Sequence, residues 1–148
     1  MQSAFIKEDS FKVLIVDPEE GPREAFRMIF RVHFPEVHLQ CVNDGRTALK
    51  ELEERQYDLL LIESNRVGDG LRGVEVVRLV RKRRPQVWCA SMTAYDPHIS
   101  PEIESELSLL FTLPKPFDLG EFVALMRRLI RLRHEFNGLT ASIAFRPA

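Results

Sequence analysis

The stretch VLIVDPEE, residues 13–20, runs from four apolar residues into an acid, a proline and two further acids. A run with no polar face has nothing to offer water, so it reads as a strand covered on both sides that delivers Asp17 to the rim of a sheet. Other stretches share this grammar. FKVLIV (11–16) contains the first strand, VHLQCV (37–42) alternates as a second, and DLLLIE (58–63) ends on Glu63. VWCASM (87–92) leads to Thr93, and a short strand near 109–113 leads to Lys115 and Pro116. An acid, an acid, a hydroxyl and an amine are thereby expected on one rim.

Amphipathic stretches lie between these runs. GPREAFRMIFRVHF (21–34) carries Pro22 in its first turn, where a missing N–H costs little. DGRTALKELEERQ (44–56) offers Asp44 as N-cap, and VEVVRLVRKRR (74–84) is stopped by Pro85. PEIESELSLL (101–110) and DLGEFVALMRRLIRLRHEF (118–136) complete five helices, the last with Asn137-Gly138 as its stop signal. Five alternating units predict an α/β fold, a doubly wound five-stranded parallel sheet with five helices, whose sites form at the carboxyl ends of the strands. The organisation reads as a polar lead-in (1–10), one domain (11–136) and a tail (137–148).

Composition bounds the function. The 148 residues are 45% hydrophobic and 29% charged, which suits one domain. A net charge of −1 gives no electrostatic footprint for nucleic acid, and no apolar stretch approaches the roughly 20 residues that span a bilayer. Cys41 and Cys89 lie in apolar runs and read as buried, reduced thiols, which places the chain in the cytoplasm. His33, His38, His98 and His134 show no ligand spacing and read as surface residues. RKRR (81–84) reads as a solvated helix end that complements the dipole, and Trp88 as packing. No glycine fingerprint follows the first strand, so a flavodoxin-like enzyme with a nucleotide cofactor is poorly supported.

The stretches KVLIVD (12–17), YDLLLIE (57–63), SMTAYD (91–96) and LPKPF (113–117), in this order and spacing, resemble the response-regulator receiver domain of two-component signalling. The resemblance covers residues 11–134. It implies a flavodoxin-like fold with strand order 2-1-3-4-5 and a cis Lys115–Pro116 bond. It also implies a phosphoacceptor at position 63, Mg²⁺ held by Asp17, residue 63 and the carbonyl of Asn65, and phosphoryl contacts from Thr93 and Lys115. The partners it implies are a histidine kinase or downstream regulator, docked on the face of helix 4, strand 5 and helix 5, which also serves for homodimers. Members are signalling modules and not enzymes in their own right.

Two positions depart from the pattern. The acceptor position holds Glu63 where aspartate is expected, one methylene or about 1.5 Å longer. The second metal-holding acid is replaced by Pro18, leaving only Glu19 or Glu20 as substitutes. Mg²⁺ demands near-octahedral oxygen geometry, so binding is expected to be weak if it occurs. The longer carboxylate is expected to reach Lys115 and to accept a hydrogen bond from Thr93 without any phosphate. The expectation is a stand-alone pseudo-receiver acting through protein contact; the alternative is a phosphorylatable response regulator of a phosphorelay with an atypical acceptor.

Three further features qualify the match. The aromatic often found three residues before the lysine is Thr112 here, and its neighbour Phe111 is expected in the core. SNRVGDGLRG (64–73) is two residues longer than the family norm, and reads as a surface loop or a partner contact. In the last helix Leu119, Phe122, Val123, Met126, Leu129 and Ile130 form the stripe against the sheet, with Leu125, Leu132 and Phe136 beside it. That surplus is covered either by the tail, through Leu139, Ile143 and Phe145, or by a partner.

Overall fold

A computed structural model describes residues 10–64, 71–93 and 105–135. The runs without a polar face become strands β1 (Lys12–Val16), β2 (His38–Val42), β3 (Leu59–Glu63), β4 (Trp88–Thr93) and β5 (Thr112–Pro114). They form one parallel sheet in the order β2-β1-β3-β4-β5, as the resemblance implied. Val13 sits opposite Leu59, and Leu59 opposite Trp88. This register brings the strand ends Val16, Glu63 and Thr93 to one edge of the sheet.

The intervening helices are α1 (Glu20–His33), α2 (Gly45–Glu54), α3 (Gly73–Arg83), α4 (described over 105–107) and α5 (Leu119–Glu135). Strand side chains alternate between two layers. Val13, Ile15, Leu59, Leu61, Ala90 and Met92 pack with Phe26 and Phe30 of α1 and Phe122, Met126 and Leu129 of α5. Leu14, Val16, Leu60 and Ile62 face Ala48 and Leu52 of α2 and Val76, Val77 and Val80 of α3. Asp44 caps α2 as expected, its carboxylate accepting from the Thr47 N–H at 2.7 Å.

Several boundaries differ from the sequence reading. The fourth helix was expected to run to 110, but Ser108 adopts φ 53°, a left-handed conformation that stops it. Leu110 and Phe111 then bond to β4 through Leu110 N–H to the Cys89 carbonyl and Ser91 N–H to the Phe111 carbonyl. The strand therefore starts at Thr112 instead of 109. Leu119 is 47% exposed and leaves the expected stripe. Phe117 takes its place, stacked on Phe26 at 5.5 Å between centroids.

The basic run at 81–84 is not simply solvated. Arg81 donates to the Val87 carbonyl and Arg84 to the Leu52 carbonyl, tying α3 to β4 and α2, while Lys82 and Arg83 stay exposed. Cys89 is buried, but Cys41 on the edge strand β2 is only half-buried. Burial raises the Cys41 thiol to about 11, which leaves it unreactive at neutral pH. His38 is likewise half-buried, stacked on Tyr57 at 6.4 Å between ring centroids. His98, Phe136, the Asn137-Gly138 stop and the tail lie outside the described residues. Among the described residues no helix is long and apolar enough to cross a membrane.

Candidate functional site

At the carboxyl edge of the sheet, Asp17 directly follows β1 and is fully buried. Its backbone N–H donates to the Val42 carbonyl at 3.1 Å. Its Oδ1 accepts from the Glu19 N–H at 2.9 Å, which fixes the turn that carries Pro18. Its carbonyl accepts from Arg23 Nη1 at 2.8 Å. The same guanidinium holds the exposed Glu20 at 2.7 Å.

Glu63 ends β3 and is 8% exposed. Lys115 follows β5, across the cis bond to Pro116 that the resemblance implied. Its ammonium lies 2.5 Å from Asp17 Oδ2 and 2.8 Å from Glu63 Oε1. One cation thus bridges two buried carboxylates that β1 and β3 deliver separately. Burial works to lower the Lys115 ammonium, but the hydrogen bonds and charges of Asp17 and Glu63 outweigh it and hold its pKa above the ordinary value.

Thr93 departs from expectation. It ends β4 at the same edge and is buried, yet its hydroxyl finds no hydrogen-bond partner among the described residues. The expected Thr93–Glu63 bond is absent among the described residues, while the expected Lys115–Glu63 contact forms at 2.8 Å. Asn65 lies outside the described residues, as do 65–70 of the loop. Phe111 is buried in the core as expected, and Thr112, at the position where the family often carries an aromatic, accepts a hydrogen bond from the Ser91 hydroxyl at 3.0 Å.

The sequence reading missed two contributors. Arg23 pins the backbone of Asp17, and its position one turn into an amphipathic helix gave no hint of this. Gly73, read as a loop residue, is the buried first residue of α3. A Cβ there would meet the Glu63 carbonyl oxygen at 2.0 Å. Only glycine lets the helix start abut the backbone of Glu63 and Ser64.

The resemblance implies Mg²⁺ at this edge, but the donor set suits it poorly. Asp17 and Glu63 each commit an oxygen to an ammonium, Pro18 offers no ligand, and Glu20 is engaged by Arg23. Among the described residues no group of three or more acids, histidines or cysteines could hold a metal ion.

Comparison with known proteins matches this architecture. The family model described as the response regulator receiver domain matches residues 13–127. Regulatory protein AtoC of Escherichia coli is 30% identical over 128 residues, covering 82% of this chain and 26% of that protein. Response regulator MprA of Mycolicibacterium vanbaalenii is 28% identical over 133 residues, covering 90% of this chain and 56% of that protein. The chain thus spans about a quarter to about half of the length of these relatives. Among solved structures, a CheY-like receiver domain from Methanospirillum hungatei superposes with a TM-score of 0.76 at 15% identity, covering 86% of this chain and 98% of that one. Response regulator TrrA of Thermotoga maritima, solved in complex with Mg(2+)-BeF, gives 0.69 at 24% identity, covering 80% and 98%. By the family match, the strand order and the residues gathered at the sheet edge, this chain belongs to the response regulator receiver domains of two-component signalling.

Proposed function

We propose that this chain is a pseudo-receiver, a signalling module that acts by protein contact and whose acid pocket is closed internally by Lys115 without Mg²⁺ or phosphate. The observation that carries this reading is the ammonium at 2.5 Å from Asp17 and 2.8 Å from Glu63. Glutamate at position 63 brings its carboxylate to the lysine directly, where an aspartate would end about 1.5 Å short. The clamp offers one negative charge where a phosphoryl group brings about −1.5 to −2. It holds the loops around the pocket in one arrangement and leaves phosphotransfer impaired. Positioning errors of about 1 Å can cost a hundredfold in rate, and both Glu63 and Pro18 disturb the same site. Mg²⁺ binding at Asp17, Glu63 and Asn65 is weak or absent in this reading. The partner is a histidine kinase or a downstream regulator, met on the face of α4, β5 and α5.

The test is an NMR titration of the full chain with Mg²⁺ and then beryllofluoride or acetyl phosphate. Amide signals of Asp17, Glu63 and Thr93 are expected to stay in place. Large saturable shifts, or a phosphorylated Glu63 recovered after incubation with a kinase, would overturn the proposal.

A further inference from the structure

We infer that the outward face of α1 is a self-association surface on which two copies of this chain pack antiparallel. The inward face of this helix is spent on the core through Phe26 and Phe30. The opposite face presents Gly21, Ala25, Met28 and Val32, every one exposed. Met28 is 61% and Val32 66% exposed, and with Leu119 they are the large exposed apolar side chains among the described residues. The positions are four, three and four residues apart. That spacing is the seam of a helix pair, not the scatter of a solvated face. Glu24 and Arg31, also exposed, lie one heptad apart on the same flank of the seam.

The occupant follows from self-complementarity. A two-fold axis crossing the helix between Phe26 and Arg27 sets Gly21 against Val32 of the second copy and Ala25 against Met28 of the second copy. Small residues then meet large ones, which lets the helices approach and interdigitate. The same axis brings Glu24 to within two residues of direct opposition to Arg31 of the second copy, an offset of about 3 Å that these long side chains span, and does so twice. A parallel pair would oppose like with like, Gly21 on Gly21 and Met28 on Met28, and would not bring these two charges together. A single patch that carries both sizes and both signs in two-fold-related places is what an isologous contact requires. The Glu24–Arg27 contact inside the helix, 3.2 Å and exposed on both sides, gives way at little cost. A helix of 14 residues is about 21 Å long and covers well under the roughly 800 Å² per partner of a standard interface. The dimer is therefore a weak one, below the standard size class.

Sedimentation equilibrium of the full chain, from about 20 μM to about 1 mM, tests it. Wild type should move from monomer to dimer across that range. Glu24→Arg and Arg31→Glu each turn both cross-pairs into like charges and should weaken association roughly tenfold. An equimolar mixture of the two variants should associate about as tightly as wild type, because both cross-pairs are again opposite. Circular dichroism of each variant checks that the fold is retained at these exposed positions. A chain that stays monomeric throughout overturns the inference. So does a dimer unmoved by the single reversals, or a mixture that associates no better than its components.

Discussion

Lys115→Met keeps most of the stem and removes the ammonium. In the wild type that ammonium neutralises Asp17, fully buried, and Glu63, 8% exposed. Removing one member of a buried ion pair costs about 3–5 kcal/mol because the remaining charge is left uncompensated. Two carboxylates are stranded here, so the upper part of that range is expected near neutral pH. Against a total stability of about 5–15 kcal/mol this is a large fraction. The pH dependence identifies the cause.

The Lys115 pKa is raised on folding, so its contribution in the wild type is fully present below the ordinary lysine value of 10.5 and is lost as pH rises through the folded value. The gap between wild type and variant therefore narrows at alkaline pH. Tyr57, Cys41 and Cys89 also have raised values, but both proteins contain them, so the difference between variant and wild type isolates Lys115. Urea unfolding followed by the fluorescence of Trp88, the single tryptophan, supplies the measurement. A loss under about 1 kcal/mol at neutral pH, the ceiling of an ordinary exposed pair, or a gap that is flat with pH would refute the clamp.

Gly73→Ala places a methyl against the Glu63 carbonyl at 2.0 Å, a backbone contact that cannot yield, so urea titration should show a loss of about 1–3 kcal/mol or more. Thr93→Val removes a buried hydroxyl that has no partner among the described residues, and thermal unfolding should find it neutral or stabilised, within about 1 kcal/mol. Arg133→Ala withdraws the guanidinium held 4.1 Å over the Trp88 ring, and should cost about 1 kcal/mol while shifting Trp88 emission. Asp44→Ala loses the cap on Thr47 and should cost about 1 kcal/mol by the same assay, with the Trp88 spectrum unchanged.

The fold was legible because its signals are local. Runs such as Leu59–Ile62 have no polar face and declare a doubly covered strand, and Asp44 declares a helix start. Asp17, Glu63, Thr93 and Lys115 were legible as a group because parallel strands deliver their last residues to one edge. Details set by competition in space were not. That Glu63 meets the Lys115 ammonium and not also the Thr93 hydroxyl is set by side-chain placement in space, which the strand pattern does not encode. Gly73 looked like loop punctuation because the clash it avoids is with a residue ten positions earlier. Arg81 and Arg84 looked solvated because a run of four basic residues carries no sign of the carbonyls that two of them reach. Leu119 matched the helical period, but the preceding Phe117 had already filled that corner.

The bond from Lys115 to Asp17 joins positions 98 apart in sequence, whereas β5 is a mere three residues long. So short an edge strand offers few rungs to resist peeling, and α5 continues from it. The final segment is better pictured as hung on a latch than glued along a seam. Unfastening that latch should let β5 swing away well before the other four strands yield, and amide exchange at Leu113 would then outpace exchange at Leu61 by a wider margin than in the intact chain.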